Sequence, residues 1–260
     1  MDKVVMFDIG FDNFDFKDLM SYIDTAVSSR EPSYMVTCNV DHLVKLKGDI
    51  HFRQVYKEAG VTLADGMPIV WASRLLGTPL KQRVAGSDIL TELGYQFELK
   101  RYRIFFLGAA EGVAEAAKHE LLQRFPAMNI VGCFSPSYGY ETDEAENEKI
   151  VTMLREAKPD IVFVGVGAPK QEKWIHRYYK EYRAPVSVGI GATFDFLAGT
   201  VKRAPRLFQR SGTEWLWRLL QEPRRLWKRY LIEDAQFMKL LINELKKKRR
   251  EGHGTYSERG

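Results

Sequence analysis

Short apolar runs rich in β-branched and aromatic residues alternate along the chain with longer segments of helical periodicity. The runs are YMVTC (34–38), RIFFLG (103–108), IVFVGVG (161–167) and VSVGIG (186–191). They lack polar alternation, which is typical of strands buried on both faces. The helical segments are 86–100, 111–124, 142–157 and 170–182. This alternation predicts an α/β fold, a Rossmann-like layered core with a largely parallel sheet.

The pattern changes near residue 202, where a Trp- and Arg-rich helical stretch begins that is broken near Pro223. We therefore predict a core over 1–201, a helical appendage over 202–250 and a disordered tail over 251–260. The formal net charge of +5 is concentrated in the appendage, because residues 224–250 contain ten Lys or Arg and three Asp or Glu. One segment, rather than the whole surface, is thus expected to meet an anionic partner.

Several classes of protein are disfavoured by what the sequence lacks. The N-terminus has no apolar signal-peptide region, and no run approaches the roughly 18 apolar residues that span a bilayer. We therefore expect a cytoplasmic protein whose membrane contact is peripheral. The cysteines Cys38 and Cys133 lack metal-ligand spacing and are expected to be buried thiols. The histidines form no ligand motif and no Asp-x-Asp sequence occurs, so we expect no metal.

A fifth apolar run, VTLA (61–64), ends at Asp65 and Gly66, and Pro68 then opens a helical segment. Gly66 permits a sharp turn, and Pro68 suits a first helical turn. The pattern leaves two interpretations of Asp65 open. It either caps the helix or presents a carboxylate at the end of a strand, where it faces a cleft and acts as a general base.

Thr37 and Asn39 stand where the strand YMVTC gives way to a helical segment. Two residues apart in extended chain, they share one face and reach the same ligand. The pattern alone favours the simpler interpretation of Asn39, as the N-cap of the following helix.

The segment VGVGAPKQEKW (164–174) joins a buried strand to a helix through Gly165 and Gly167. Small glycines let a phosphate approach the backbone, and a helix N-terminus offers free N–H groups and a positive dipole. Pro169 is predicted at the first helical position, and the Gln171 amide is expected to reach a sugar or diphosphate. The segment matches neither a dinucleotide fingerprint nor a Walker A loop. A plain tight turn is the alternative.

In the appendage, Trp and Tyr residues are interleaved with Arg and Lys between positions 215 and 230. A continuous helix would place Arg218, Arg225 and Arg229 on one face, where their guanidinium groups suit a diphosphate. Trp and Tyr favour the membrane interface, and Lys and Arg favour anionic headgroups. A solvated basic helix is the alternative interpretation.

Taken in order, these segments resemble the WecG/TagA/CpsF glycosyltransferase family over about residues 4–234. The matching pieces are Thr37-x-Asn39, Asp65-Gly66-x-Pro68-x-x-Trp71, Arg83-Val84-x-Gly86-x-Asp88, Gly165-x-Gly167-x-Pro169-Lys170-Gln171-Glu172-x-Trp174, Gly189-x-Gly191-x-x-Phe194-Asp195, and Arg203-Ala204-Pro205 continuing through Glu214-Trp215-Leu216 to Glu222-Pro223-x-Arg225. Each piece is weak alone, but their order is specific.

The resemblance implies an inverting, metal-independent transfer from a UDP-sugar, commonly UDP-N-acetylmannosamine or its uronic acid, to an undecaprenyl-diphosphate-linked sugar. It also implies a C-terminal helical appendage that docks at an anionic membrane surface to complete the active site. The donor is a substrate, and no cofactor is expected. Some relatives transfer glucose or other hexoses, and Cys38, Ala192 and the longer segment 134–141 depart from the family pattern, which leaves the sugar open.

The resemblance also implies which residues form the site. It places Asp65 as catalytic base, with Thr37, Asn39, Arg83 and Gln171 among the catalytic residues. Donor-binding residues are expected at the glycine turns and in the appendage, namely Gly108, Gly139, Tyr140, Gly167, Pro169, Gln171, Gly191, Asp195, Arg218 and Arg225.

Two other classes remain as alternatives. An NAD- or S-adenosylmethionine-dependent enzyme fits the layered fold but lacks the glycine fingerprint and the ribose-binding acid. A nucleic-acid-binding protein fits the basic aromatic tail, but the charge of the core disfavours it, so we expect no nucleic-acid partner. Self-association into a homo-oligomer is left open.

Overall fold

The structure, a computed structural model, describes residues 3–205, 207–208, 212–228 and 236–254. Its strands are β1 Lys3–Met6, β2 Ile9–Asp12, β3 Ser33–Cys38, β4 Val61–Ala64, β5 Ile104–Gly108, β6 Ile130–Phe134, β7 Ile161–Gly165 and β8 Val186–Gly189. Six of them form one parallel sheet in the order β4-β3-β8-β7-β5-β6. The predicted α/β fold with a parallel sheet is confirmed.

The helices are α1 Phe16–Ser29, α2 Val40–Gly48, α3 Ile50–Glu58, α4 Met67–Leu75, α5 Gly86–Glu92, α6 Gly94–Lys100, α7 Val113–Arg124, α8 Glu144–Ala157, α9 Lys170–Tyr182, α10 Thr193–Leu197, α11 Glu214–Gln221, α12 Pro223–Lys228 and α13 Gln236–Gly254. The helix predicted over 86–100 is divided at Leu93, where Gly94 lets the Phe125 ring pack against the backbone. Pro169, expected at the first helical position, is the N-cap of α9 instead.

Both faces of the sheet are covered. On β7, Val162 and Val164 point to the face packed by α9, whereas Ile161 and Phe163 point to the opposite face, with α7. Because successive side chains of a strand alternate between faces, a strand buried on both sides must be apolar throughout. Burial of each such side chain contributes about 1.5–3 kcal/mol, so this strand is a main source of stability.

An antiparallel hairpin of β1 and β2, which the sequence did not predict, lies beside β4. The Asp12 carboxylate joins the hairpin to β4, because its Oδ2 accepts a hydrogen bond from the Thr62 N–H at 2.8 Å. Lys3 lies 3.3 Å from the same oxygen and balances its charge.

The C-terminal helices dock on the core. The break predicted near Pro223 is confirmed, since α11 ends before Glu222 and α12 begins at Pro223. The Phe237 ring lies 5.8 Å from that of Phe7, and Lys248 Nζ donates to the Leu76 carbonyl at 2.8 Å. No helix among the described residues is long and apolar enough to cross a membrane.

The last helix is longer than predicted. Residues 251–254, which lie in the range predicted to be disordered, belong to α13, and 255–260 are outside the described residues. Lys247 Nζ lies 2.8 Å from the Asp8 carboxylate. Part of the basic tail thus contacts the protein itself.

The carboxyl ends of β5 and β7 approach so closely that only glycine fits between them. Gly108 has a φ of 124°, and a Cβ there would lie 2.6 Å from the Gly165 carbonyl carbon and oxygen. The next N–H, that of Ala109, donates to the Gly165 carbonyl at 2.8 Å. This contact fixes the edge at which the site forms.

Replacing Gly108 by Ala should therefore lower the free energy of unfolding by about 2 kcal/mol, because both the backbone conformation and the contact become strained. Gly48→Ala, at the end of α2 with no atom within 4 Å of the new Cβ, is the control and should change it by less than about 0.5 kcal/mol. Urea denaturation of both variants tests this. Equal stabilities would contradict the close approach.

Candidate active site

A cleft of about 1380 Å³ opens at the carboxyl edge of the sheet. This is more than the roughly 300–1,000 Å³ of a typical small-ligand site, so it has room for two substrates. The predicted residues that line it are Thr37, Asn39, Asp65, Arg83, Gly139, Tyr140, Gly167, Gln171, Gly191, Asp195 and Arg218. Residues distant in sequence are thus brought together as predicted.

Three predicted donor-binding residues are not seen in the cleft wall. Gly108 does not line it, because it is packed against Gly165. Pro169 does not line it either, although its neighbours Ala168 and Lys170 do. The side chain of Arg225 lies outside the described part of the chain, as does the whole of Arg229.

Asp65 follows the last residue of β4 and faces the cleft. Its N–H donates to the Cys38 carbonyl at 2.7 Å, and the Gly86 N–H beside its carboxyl lowers the pKa of that group. The N-cap of α4 is Gly66, with no side-chain capping bond. The helix-cap interpretation of Asp65 is therefore wrong.

Burial raises the pKa of Asp65 to about 7, and the Arg83 guanidinium opposes this rise. The Glu214 and Asp88 carboxylates add to the rise in pKa. A carboxylate with a pKa near neutrality is a far better proton acceptor than an ordinary one and is still substantially ionised at pH 7. The geometry therefore suits a general base.

A network of ion pairs surrounds Arg83. Its Nη2 lies 2.5 Å from the Asp88 carboxylate and its Nη1 lies 3.5 Å from that of Glu214. Arg203 pairs with the other Asp88 oxygen and donates to Ser87 Oγ at 3.2 Å. The network joins α5 to the segment that leads into α11. Sequence reasoning did not single out Asp88, Arg203 or Glu214, although each stands in a family motif.

Thr37 and Asn39 both line the cleft but already have partners within the protein. Thr37 Oγ1 donates to the Gly189 carbonyl at 3.3 Å, and Asn39 Oδ1 accepts from the His42 N–H at 3.0 Å. The N-cap interpretation of Asn39 is confirmed. Contact of either side chain with a ligand stays a prediction.

The Gln171 amide holds two glycine turns together. Its Oε1 accepts from the N–H groups of Gly167 and Gly191, at 3.2 and 3.1 Å, and its Nε2 donates to Glu172 Oε1 at 2.7 Å. The N–H groups of these two glycines are thus engaged within the protein. The glycines still keep the backbone uncovered on the cleft side.

Glu172 is a buried carboxyl that the sequence reasoning did not recognise as special. It is 1% exposed, and its Oε2 has no hydrogen-bond partner among the described residues. Burial raises its pKa to about 7, and the hydrogen bond from Gln171 opposes this. His42 Nε2 lies 4.0 Å from Oε1, and His42 Nδ1 is 2.6 Å from the Tyr56 hydroxyl.

Arg218 brings a positive charge into the cleft from α11. Its guanidinium lies 5.4 Å from the Phe196 ring centroid, and its buried Nε has no hydrogen-bond partner in the described ranges. Because the chain breaks between α11 and α12, Arg218 and Arg225 do not share one continuous helix. The prediction of a single arginine face is wrong for this pair. Of the three predicted arginines, Arg218 is the one whose side chain the structure describes, and it is an available anion ligand.

Within the described segments, no three His, Cys, Asp or Glu residues are grouped so that they could hold a metal ion. The two cysteines are free, with Cys38 buried and Cys133 half-buried.

The chain is similar to a known protein family over nearly its whole length. The family model "Glycosyl transferase WecG/TagA/CpsF family" matches residues 4–251. The chain belongs to this family and is a glycosyltransferase.

Two relatives carry the same name, "N-acetylglucosaminyldiphosphoundecaprenol N-acetyl-beta-D-mannosaminyltransferase". The relative from Bacillus spizizenii is 34% identical over 224 residues, which is 86% of this chain and 84% of the relative. The relative from Staphylococcus aureus is 31% identical over 229 residues, which is 87% of this chain and 86% of the relative.

Glu172 should make stability depend on pH. Its pKa is 4.5 in an unfolded chain and about 7 in the fold, so between these values only the folded state keeps the proton. Stability from this group is therefore lost as pH rises through the window. The unfolding free energy of Glu172→Gln, relative to wild type, should increase by about 3 kcal/mol from pH 4 to pH 8.

Urea denaturation at a series of pH values measures this difference. Comparing the variant with wild type at each pH removes the contributions of the other carboxyls, including that of Asp65. A difference that does not change with pH would show that Glu172 ionises normally.

Proposed function

We propose that this glycosyltransferase moves a sugar from a UDP-sugar to a hydroxyl of an undecaprenyl-diphosphate-linked sugar, in cell-surface polysaccharide assembly. The observation that carries the proposal is one cleft that holds both the Asp65 carboxylate, whose pKa burial raises to about 7, and the Arg218 guanidinium, whose Nε has no hydrogen-bond partner among the described residues. The names of the relatives from Bacillus and Staphylococcus support sugar transfer to an undecaprenyl-diphosphate-linked acceptor.

The donor diphosphate is proposed to lie between the glycine turns and Arg218. The turns at Gly167 and Gly191 leave the backbone uncovered, and the positive end of the α9 dipole points to the same region. The guanidinium of Arg218 can bind two phosphate oxygens and stabilise the charge that develops as uridine diphosphate leaves. We also propose that this positive charge makes a metal ion unnecessary.

On the acceptor side, Asp65 is proposed to remove the proton from the attacking hydroxyl. Uridine diphosphate leaves without being protonated, so one base is sufficient, unlike the carboxyl pair of glycoside hydrolysis. The hydroxyl oxygen forms a bond to the anomeric carbon from the face opposite the diphosphate, and the carbon–oxygen bond to the diphosphate breaks. A single displacement of this kind inverts the anomeric configuration.

The lipid part of the acceptor is proposed to lie along the apolar wall of the cleft. Helix α4 contributes Trp71 and Leu75, which are 40% and 65% exposed, and α13 contributes Met238, which is 56% exposed. Exposed apolar side chains of this size favour a lipid or protein partner over water. Together with the basic residues of the appendage, they support peripheral attachment to the inner face of the cell membrane.

The sugar is proposed to be N-acetylmannosamine, on the strength of the relatives' names. The test is an assay of UDP-N-acetylmannosamine, its uronic acid and UDP-hexoses against a synthetic prenyl-diphosphate-linked N-acetylglucosamine, with and without EDTA. Release of UDP and a lengthened lipid-linked product with one donor supports the proposal. Absence of product with every donor contradicts it, and loss of product with EDTA contradicts metal independence.

Asp65→Asn should lower turnover by about 10²–10⁴-fold, the usual contribution of a general base, while UDP binding remains. In the wild type, kcat/KM should fall as pH drops below about 7, since Asp65 then takes up a proton. Turnover of both proteins and calorimetric UDP titration test this. The control is Glu148→Gln, which removes one negative charge, as Asp65→Asn does, but from an exposed residue of α8. Near-normal turnover of Asp65→Asn removes Asp65 from the role.

A further inference from the structure

The first turn of α11 places the Glu214 carboxylate against Arg83, beside the proposed base. Arg83 comes from the core, whereas Glu214 belongs to the C-terminal helices. The ion pair between them, 3.5 Å long with both side chains largely buried, therefore exists only when α11 is docked. Docking of the appendage thus changes the charges next to Asp65.

We propose that Glu214 is a positioning residue: when α11 docks, its carboxylate binds Arg83 and so prevents the Arg83 guanidinium from neutralising Asp65. This inference rests on the proposed role of Asp65 as the base. On this proposal, the basicity of Asp65 depends on whether α11 is docked.

The charges around Asp65 support this assignment. In the docked structure, Arg83 and Arg203 are matched by Asp88 and Glu214, so the four side chains together are neutral. Removal of Glu214 leaves one positive charge in excess. The excess charge then acts on Asp65, whose pKa the Arg83 guanidinium already lowers.

The remaining groups that face Asp65 carry no charge at neutral pH. Burial raises the pKa of the Cys38 thiol and that of the Tyr56 hydroxyl, and the Gly86 N–H is a neutral donor. Among the described residues, the ionised neighbours that affect the pKa of Asp65 are therefore Arg83, Asp88 and Glu214. Of these three, Glu214 is the one that belongs to the C-terminal helices.

Helix α11 also carries the proposed leaving-group ligand. Arg218 lies one turn after Glu214 and lines the same cleft. Two bonds to the Lys202 carbonyl, from Trp217 Nε1 at 3.3 Å and from Gln221 Nε2 at 2.9 Å, hold the helix to the preceding segment. Docking of α11 therefore brings Arg218, the proposed diphosphate ligand, into the cleft. The same step engages Arg83 through Glu214, so that Arg83 no longer neutralises Asp65. An open site would then have neither function, which limits wasteful hydrolysis of the donor.

The test is a ¹³C NMR titration of the Asp65 carboxyl in protein labelled at aspartate, with the signal assigned by Asp65→Asn. Glu214→Gln keeps an oxygen that accepts from Arg83 but removes the charge. The pKa of Asp65 should fall by about one unit in this variant, because Arg83 then favours its ionised form. Glu244→Gln, an equal change on α13 outside the network, should leave it unchanged. An unchanged or raised pKa in Glu214→Gln overturns the inference.

Trypsin cleavage after Arg218 reports whether α11 stays docked in the variant. An undocked α11 would remove both the Glu214 charge and part of the burial that is the main cause of the raised Asp65 pKa. A fall in the Asp65 pKa with Arg218 as resistant to trypsin as in wild type supports the inference, whereas a fall seen only together with increased cleavage overturns the assignment to the Glu214 charge. The acid limb of kcat/KM should shift to lower pH in parallel, with a lower plateau.

The titration measures Asp65 whether or not it is the base. An active Asp65→Asn enzyme would defeat the proposed mechanism yet leave the pKa result intact, so the two failures are distinguishable.

Discussion

The desolvated carboxylate of Asp65 is the feature on which the site depends. It follows β4 at the carboxyl edge of a parallel sheet, where the Gly86 N–H and the Arg83 guanidinium keep it partly ionised despite its burial. Burial alone would leave it protonated, and a full ion pair would make it a weak base. The balance between these effects gives a pKa near neutrality, which is the range in which a general base is most effective.

The parallel sheet and its active edge could be predicted from the sequence, because buried strands are apolar throughout and end at glycine turns. The β1–β2 hairpin could not. Its turn is formed by Phe7 and Asp8, both with positive φ, without the glycine or asparagine that usually marks such a turn. The division of the helix at Leu93 was missed because it depends on the approach of Phe125, which lies far along the chain.

The site, like the fold, could be predicted from the sequence only where its residues leave a local pattern. Asp65, Thr37 and Gln171 could be singled out as candidates because residues at strand ends and helix starts leave a local pattern, whereas the roles expected of them came from the family resemblance. The ion pairs Arg83–Glu214 and Arg203–Asp88 join positions more than a hundred residues apart and produce no periodicity. The role of Gln171 was predicted as ligand contact, but its amide is used to join two turns, which only the folded arrangement reveals.

The most direct test of the account is a structure of the enzyme with UDP and a prenyl-diphosphate-linked acceptor analogue. We predict that the diphosphate contacts Arg218 and that the acceptor hydroxyl lies within about 3.2 Å of the Asp65 carboxylate, the reach that proton transfer requires. An acceptor bound on another face of the protein, or an Asp65 carboxylate beyond the reach of one bridging water, would contradict the central claim.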